Sequence, residues 1–371
     1  MYVESIRLIN FRNYFNLELD LNKKVNLFLG NNAQGKTNLL ESIYICSFGK
    51  SFRTNRDRDM INFKKNKCYV GTKVVGRNFD KFVEIKIEED KPKRIRLNKV
   101  ELEKNRELYS GLNVVIFSPD DLRLIKDGPS ERRNFLDREI SQLKPVYKYN
   151  LNRYNKVLFQ RNNLLKNMIQ KKGNEQLIEI FDFQLAKIGT DIIVERISFI
   201  NRLSVVSRDI HRKITNGNEN LSLKYVSNVD TGVENKKIIE KCFLERLKWS
   251  RKSDILKGVT EIGPHRDDIE VLIDGIDSKS FASQGQQRTA VLSMKLAEIN
   301  IISEDSGDLP VLLLDDVLSE LDSSRRRYLL DNFSELQIII TSTDTVQLEE
   351  FKSLDAQIFY IEDGNVYKKG S

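Results

Sequence analysis

The chain has 371 residues, 40% hydrophobic and 31% charged, enough to bury a sizeable core in more than one structural unit. Its 61 Lys and Arg against 54 Asp and Glu leave a net charge of +7, which suits a polyanionic partner, nucleic acid above all, without demanding one. Three cysteines, Cys46, Cys68 and Cys242, make no C-x-x-C pair, so neither a disulfide framework nor a zinc site follows and a reducing cytoplasm is expected; no signal-peptide pattern opens the sequence and no apolar run approaches a membrane span.

Val3 to Phe11 and Phe15 to Leu21 read as strands around an Arg12-Asn13-Tyr14 turn. The apolar run Val25 to Leu29 then leads into Gly30-Asn31-Asn32-Ala33-Gln34-Gly35-Lys36-Thr37, which fits G-x-x-x-x-G-K-[ST] without deviation, and Asn38 to Ile45 reads as the helix that follows. Strand, glycine loop and helix are the context this motif needs. Backbone N–H groups of the loop can face inward as an anion nest, and the helix N-terminus adds partial positive charge. Lys36 would reach the β- and γ-phosphates of a bound nucleotide, and the Thr37 hydroxyl would ligate Mg²⁺. A β-rich segment follows, Tyr69 to Val75, Phe82 to Ile87 and Arg94 to Leu97, and Asn113 to Phe117 is a buried strand closed by Ser118-Pro119-Asp120.

From about 130 to 254 the texture turns helical. Tyr147 to Gln170, Asn174 to Ile214 and Lys236 to Trp249 place apolar residues at helical spacing, Leu177, Ile180, Phe181, Leu185, Ile188 and Ile192 among them, with Leu221 to Val226 as a short strand. No a/d heptad is sustained, so no long coiled coil is expected. Basic residues Arg123, Lys126, Arg132, Arg133, Arg138, Lys148 and Arg153 gather at the start of this block, as candidate DNA-backbone contacts or a solvated helix face.

After about 259 the β/α pattern returns. Ile269 to Ile273 is a strand. Phe281-Ala282-Ser283-Gln284-Gly285-Gln286 is a small polar turn that opens a helix reaching Ile302, and it can be a second anion-binding turn or an ordinary helix capped by Ser283. Val311 to Asp315 is an apolar strand that ends in the pair Asp315-Asp316. Asp315 would hold Mg²⁺ and Asp316 would orient or activate the attacking water. Leu321 to Phe333 is a helix; Gln337 to Thr341 and Gln357 to Tyr360 are strands.

The P-loop, the Ser283-Gln284-Gly285-Gln286 turn and the Asp315-Asp316 strand, in this order, resemble the ABC-type ATPase heads. The 247 positions between Lys36 and Ser283 suit a head that carries an insertion, as in the SMC group. Asn10-Phe11-Arg12-Asn13-Tyr14, Lys50-Ser51-Phe52-Arg53, Pro129-Ser130-Glu131-Arg132-Arg133-Asn134-Phe135-Leu136-Asp137, Gly263-Pro264-His265-Arg266-Asp267-Asp268 and Leu314-Asp315-Asp316-Val317-Leu318-Ser319-Glu320-Leu321-Asp322 narrow the resemblance to the RecF family, over the whole chain. The resemblance implies an α/β fold: an ABC-type ATPase head, made of a P-loop α/β lobe and a β-rich subdomain, with an inserted helical domain. The expected limits are 1–128 and 257–371 for the two parts of the head and 129–256 for the insertion. It implies a cytoplasmic recombination-repair ATPase with weak hydrolysis that uses ATP and Mg²⁺, binds single-stranded or gapped DNA, and dimerises on ATP. Such a protein works with RecO and RecR to place RecA at gaps, in support of replication and the SOS response. It implies a nucleotide site of Gly30 to Asn38 with Arg12 and Arg53. Ser283, Gly285 and Gln286 would meet the γ-phosphate of a second subunit.

The signature departs from the two-glycine transporter form, and Ser118-Pro119-Asp120 stands where ABC heads often carry a glutamine, so the residue completing the metal shell stays open. His265 and Arg266 are candidates to link the signature region to the nucleotide face, with a structural histidine favoured. An ABC transporter subunit and a clamp in which ATP closes a dimer without hydrolysis are the alternatives. A fused nuclease is disfavoured by the roughly 50 residues that follow Asp316.

Overall fold

Period-two alternation in most of the first hundred residues, the strand and helix that flank the glycine loop apart, builds an antiparallel sheet. In the computed structural model, described for residues 1–77, 80–102, 108, 111–169, 175–232, 235–343 and 355–368, β1 (Tyr2–Phe11) and β2 (Tyr14–Asp20) form a hairpin with Leu8 opposite Leu17. The buried β3 (Val25–Leu29) leads through the glycine loop into α1 (Lys36–Phe48). β4 (Lys67–Val75), β5 (Lys81–Glu88), β6 (Lys91–Leu97) and β7 (Val100–Glu101) complete a sheet of order β2-β1-β4-β5-β6-β7, and β8 (Val114–Phe117) follows. The inner face of this sheet is apolar, with Val3, Ile6, Leu8, Val70, Val83 and Ile85 packed around Leu39, Leu40 and Ile43 of α1.

The chain then builds a second unit, Leu122–Met294. It contains α2 (Arg123–Lys126), α3 (Pro129–Leu143), α4 (Pro145–Ile169), α5 (Glu175–Ile214), β9 (Leu221–Val226), α6 (Lys236–Lys257), β10 (Asp268–Ile273), β11 (Ile276–Asp277), α7 (Ser278–Phe281) and the start of α8 (Gln284–Ser306). Proline begins both α3 and α4, where its missing N–H costs nothing. α4, α5 and α6 pack together, and Arg161 lies fully buried among them with its Nε 2.7 Å from Asp182 and Nη1 2.7 Å from Asp254 and 2.8 Å from Thr260. Gln170 and Asn174, expected helix ends, lie outside the described residues.

This unit is wider than the 129–256 expected from sequence. The reason is strand pairing: β10 runs antiparallel to β9, with Ile269 opposite Tyr225 and Val271 opposite Leu223, and it also packs on α3. Residues 257–294 therefore cluster with the helices.

α8 carries the chain back into the first unit, Met1–Asp121 with Lys295–Ser371. There β12 (Val311–Asp315), α9 (Ser323–Asn332), β13 (Ile338–Ser342), β14 (Ala356–Glu362) and β15 (Asn365–Lys368) complete a second six-stranded sheet of order β15-β14-β3-β13-β12-β8. All its pairs are parallel except β14–β15. Its central strands are almost continuously apolar because helices and the other sheet cover them. β3 lies between β13 and β14, and Phe28 stacks on Phe359 with centroids 4.7 Å apart. α1 packs on β4 and β5 of one sheet and on β8, β12 and β13 of the other. The glycine loop and Asp315 thus leave the carboxyl edge of one sheet, one strand apart.

Candidate nucleotide-binding site

The loop is braced from two sides of its own unit. The Tyr14 hydroxyl donates to the Gly35 carbonyl at 3.0 Å and Asn13 Nδ2 to the Gln34 carbonyl at 2.8 Å. From the β14–β15 turn the Gly364 N–H reaches the same Gln34 carbonyl at 3.2 Å, and the Asp363 N–H donates to Gln34 Oε1 at 2.5 Å. Gly35 has φ 118°, and a Cβ there would sit 2.6 Å from the Asn13 amide; one at Gly30 would run into the Ile361 carbonyl. Both glycines are therefore required by backbone fit. Asn31, Asn32 and Ala33 form the exposed crest. Lys36 is buried at the base, its ammonium donating to the carbonyls of Gly30 and of Asn31, the latter at 3.1 Å.

Thr37 and Asp315 are brought together. The Thr37 hydroxyl donates to Asp315 Oδ1 at 3.0 Å, and the Thr341 hydroxyl on β13 donates to the same oxygen at 2.7 Å. Burial pushes the Asp315 carboxyl up, against the pull of the Thr341 and Thr37 hydrogen bonds. Asp316 follows in a left-handed conformation, φ 55°, pinned by its N–H to the Thr341 carbonyl and hydroxyl, each at 3.1 Å. Such a conformation costs a non-glycine residue on the order of 1 kcal/mol and turns its side chain away from the strand direction. Asp316 Oδ1 is buried without a hydrogen-bond partner. One carboxylate and one hydroxyl beside an anion nest are the hard-oxygen set Mg²⁺ uses when phosphates and water supply the rest. Among the described residues no group of three His, Cys, Asp or Glu is placed to hold a metal ion by itself. An orphaned carboxylate oxygen, a folded-back lysine and a glycine cradle together fit a nucleotide triphosphate with Mg²⁺. At the end of β8, Asp121 is turned inward to accept the Ser118 N–H at 2.7 Å.

Arg12 and Arg53 converge on a residue the sequence reading passed over, Glu41. Arg12 grips it through Nε at 2.9 Å and Nη2 at 2.6 Å and donates Nη1 to the Asp59 carbonyl at 2.6 Å. The Ser51 hydroxyl donates to the same carboxylate, and Arg53 stands 3.6 Å from it. Arg53 Nη1 also donates to Asn38 Oδ1 at 2.6 Å, and Asn38 Nδ2 to Asn13 Oδ1 at 2.8 Å. Arg12 is thereby occupied by protein acceptors, while Arg53, 42% exposed, is linked through Asn38 to the loop. Glu41 could have been found by its place one helical turn beyond Thr37, where a buried carboxylate on an apolar helix needs cationic partners.

In the second unit, Ser283 and Gln286 form a capping box. The Gln286 N–H donates to Ser283 Oγ at 3.3 Å and the Ser283 N–H to Gln286 Oε1 at 2.9 Å. Gln286 Nε2 donates to Glu219 at 3.1 Å, whose other oxygen lies 3.0 Å from Nε2 of the buried His211. Burial pushes the His211 pKa down, against the pull of Glu219. Neither Glu219 nor His211 carried a recognisable spacing.

The family model for the RecF/RecN/SMC N terminal domain matches residues 2–365. A DNA replication and repair protein RecF of Alkaliphilus oremlandii is 46% identical over 99% of this chain and 100% of its own length. One of Clostridium acetobutylicum is 47% identical over 99% of both. The chain belongs to the RecF family. Two solved structures of a recombination mediator protein RecF in the RecFOR pathway, described as RecF-ATPrS and RecF-ATP, superpose with TM-scores of 0.92 and 0.93 at 37% and 38% identity, covering 100% of this chain and 98% of theirs. An Smc head bound to the C-terminal winged-helix domain of ScpA shares the fold alone, at TM-score 0.57 and 15% identity. The ABC-type head expected from sequence is thus the RecF-family fold, and among the described residues no helix is long and apolar enough to cross a membrane.

Within this RecF-family chain the expected DNA contacts do not present one free basic face. Arg132 is 8% exposed, with Nε and Nη2 on Asp268 at 2.6 and 2.9 Å and Nη1 on the carbonyls of Leu124 and Asp127. It ties the Pro129–Asp137 stretch to the Gly263–Asp268 stretch, and its guanidinium is occupied by these protein acceptors. Arg133 donates to the Asp267 carbonyl at 2.9 Å, and Arg123 pairs with Asp127 at 2.9 Å. Lys126 is exposed. His265 accepts from the Tyr154 hydroxyl at 2.8 Å and donates to the Thr260 carbonyl at 3.0 Å; burial pushes its pKa down to about 4. It is a neutral structural histidine.

Proposed function

We propose that the chain is an ATP-gated DNA-binding protein of recombinational repair with weak ATPase activity. The single observation that carries the nucleotide reading is the meeting of Thr37 with Asp315, beside Lys36 and a left-handed Asp316, at the carboxyl edge of one sheet. Lys36 releases its own loop carbonyls to hold the β- and γ-phosphates. Thr37 and Asp315 hold Mg²⁺, which when bound supplies neutralisation of phosphate charge. Asp316, with a carboxylate oxygen left unpaired, orients the attacking water. Cytoplasmic location, single-stranded or gapped DNA as ligand, RecO- and RecR-type partners and a path to RecA and the SOS response belong to the same proposal; its support is that relatives are named for DNA replication and repair and for the RecFOR pathway.

The dimer reading rests on Gly285. Its φ is ordinary and a Cβ there would meet only Ser283 Oγ, at 4.0 Å, so this chain's own packing does not require glycine. Glycine at that turn suits close approach by another body: the γ-phosphate on a second subunit's loop. Each sandwiched ATP then contributes contacts present only in the closed dimer, so ATP favours dimerisation by its differential affinity.

Two variants test these readings. Asp316→Asn keeps ATP binding and loses turnover by about a hundredfold or more, measured as phosphate release; unchanged turnover would favour the clamp without hydrolysis. Ser283→Arg keeps ATP binding by the monomer and abolishes ATP-dependent dimerisation in sedimentation. A variant that still dimerises with ATP sinks the trans signature and leaves the P-loop standing.

A further inference from the structure

We propose that the outer face of the antiparallel sheet in the first unit is a platform for a single-stranded polynucleotide, with Tyr69 as its stacking surface. This rests on the reading of the chain as DNA-binding and gives that reading a place. The inner face of the sheet is core, but its outer face holds a cleft of about 440 Å³ spread over β1, β4, β5 and β6. The rim carries four cations, Arg7, Lys67, Lys86 and Arg94, against one carboxylate, Glu88. That carboxylate is already engaged, by Arg94 at 2.5 Å and by Lys91 at 2.6 Å. Arg7, Lys67 and Lys86 make no ion pair among the described residues. These three cations outnumber Glu84, the carboxylate beside Tyr69, so the concavity keeps a net positive charge that favours an anionic ligand.

One cross-strand row runs across the cleft, with Ile9 opposite Tyr69, Tyr69 opposite Lys86 and Lys86 opposite Arg94. Tyr69 does not stand up from the sheet. It leans along β4 over Gly71, where a Cβ would lie 2.5 Å from its hydroxyl and 3.0 Å from two ring carbons. Its hydroxyl donates to Glu84 at 3.1 Å. The ring is therefore tethered along the sheet, and what faces it is the Lys86 ammonium, 5.8 Å from the centroid, a contact a base can replace. A pre-positioned aromatic ring among phosphate-binding cations is how single strands are held without sequence preference. A duplex keeps its bases stacked inside and has no face to offer Tyr69. An acidic peptide would use the cations but not the ring.

The test is fluorescence anisotropy of the full chain with a labelled oligo-dT of about 15 nucleotides, the scale of such sites, and with a duplex of equal length. Tyr69→Ala weakens the single strand about tenfold and leaves the duplex unchanged, whereas Tyr69→Phe, which keeps the ring, stays within about twofold of wild type. Removing two cations in Arg7→Ala/Lys86→Ala lowers the slope of log K against log salt by about 1.4 for the single strand. Equal affinities for Tyr69→Ala and Tyr69→Phe overturn the platform, as does an equal loss on single strand and duplex. In that case wild-type binding persists and only the location is wrong. Absence of wild-type binding to either DNA overturns the DNA-binding reading and the platform together.

Discussion

Lys36→Ala lowers ATP affinity by roughly ten- to a hundredfold or more, because charge-assisted hydrogen bonds to phosphate contribute about 1.5–3 kcal/mol each and at least one is lost outright with the cation. Without nucleotide, Lys36 spends its ammonium on the Gly30 and Asn31 carbonyls, so it is both the ligand's cation and a tie within the loop. The ties from Asn13, Tyr14, Asp363 and Gly364 remain in the variant and hold the loop from outside. Thermal unfolding should therefore shift by only a few degrees, which separates a lost ligand from a lost fold. Calorimetric titration with ATP reads the affinity, and equal constants for wild type and variant would remove the P-loop assignment.

Arg161→Leu destabilises the second unit by about 3–5 kcal/mol at neutral pH, the typical result of removing one partner from a buried charge cluster. All three members are fully buried: Arg161 meets Asp182 and Asp254 at 2.7 Å each. Asp182 keeps Arg251 at 2.9 Å, but Asp254 is left with the Ser250 hydroxyl and the Glu261 N–H. Burial already raises Asp254 above the usual carboxylate range, outweighing Arg161. Without Arg161 it rises further, so the native variant binds a proton that the unfolded chain, near 3.8, releases. Where the native state binds more protons, stability falls as pH rises. The deficit against wild type therefore shrinks from pH 7 toward pH 5. Urea unfolding at both pH values checks it, and a deficit independent of pH would show that lost packing rather than stranded charge is responsible. Arg123→Ala, which removes an exposed ion pair, should leave the midpoint unmoved.

What was legible in the sequence followed contiguous patterns. The glycine loop between strand and helix, the apolar strand ending in Asp315-Asp316 and the helical texture of the middle are local, and the structure has each as an element. Long-range pairing was not legible. Nothing near Arg132 announces that Asp268, 136 positions away, takes both arms of its guanidinium. The β9–β10 ladder moved residues 257–294 into the second unit because two short strands can name no partner alone. Periodicity held for Leu185, Ile188 and Ile192 on α5 but not at its start: Leu177 and Ile180, counted toward the apolar stripe, are 43% and 52% exposed, while Ile178 is buried. A helix of 40 residues changes neighbours along its length, so no single stripe describes it. Ser283 fits both of its readings at once, since a capping serine and an anion-facing turn use the same helix start.

The position of β3 has a consequence for how the molecule is made. β3 ends at Leu29, yet both strands that hydrogen-bond to it, β13 and β14, lie about 300 residues later in the chain. At about 5–20 residues per second, a ribosome leaves this apolar strand without neighbours for roughly 15–60 seconds. In that interval the β1–β7 sheet can close, since all its strands lie within the first 101 residues, and the contiguous Leu122–Met294 unit can form. Of the two braces on the nucleotide loop, the one from Asn13 and Tyr14 is available as soon as the loop is made, whereas the one from Asp363 and Gly364 forms only after the β14–β15 turn has emerged.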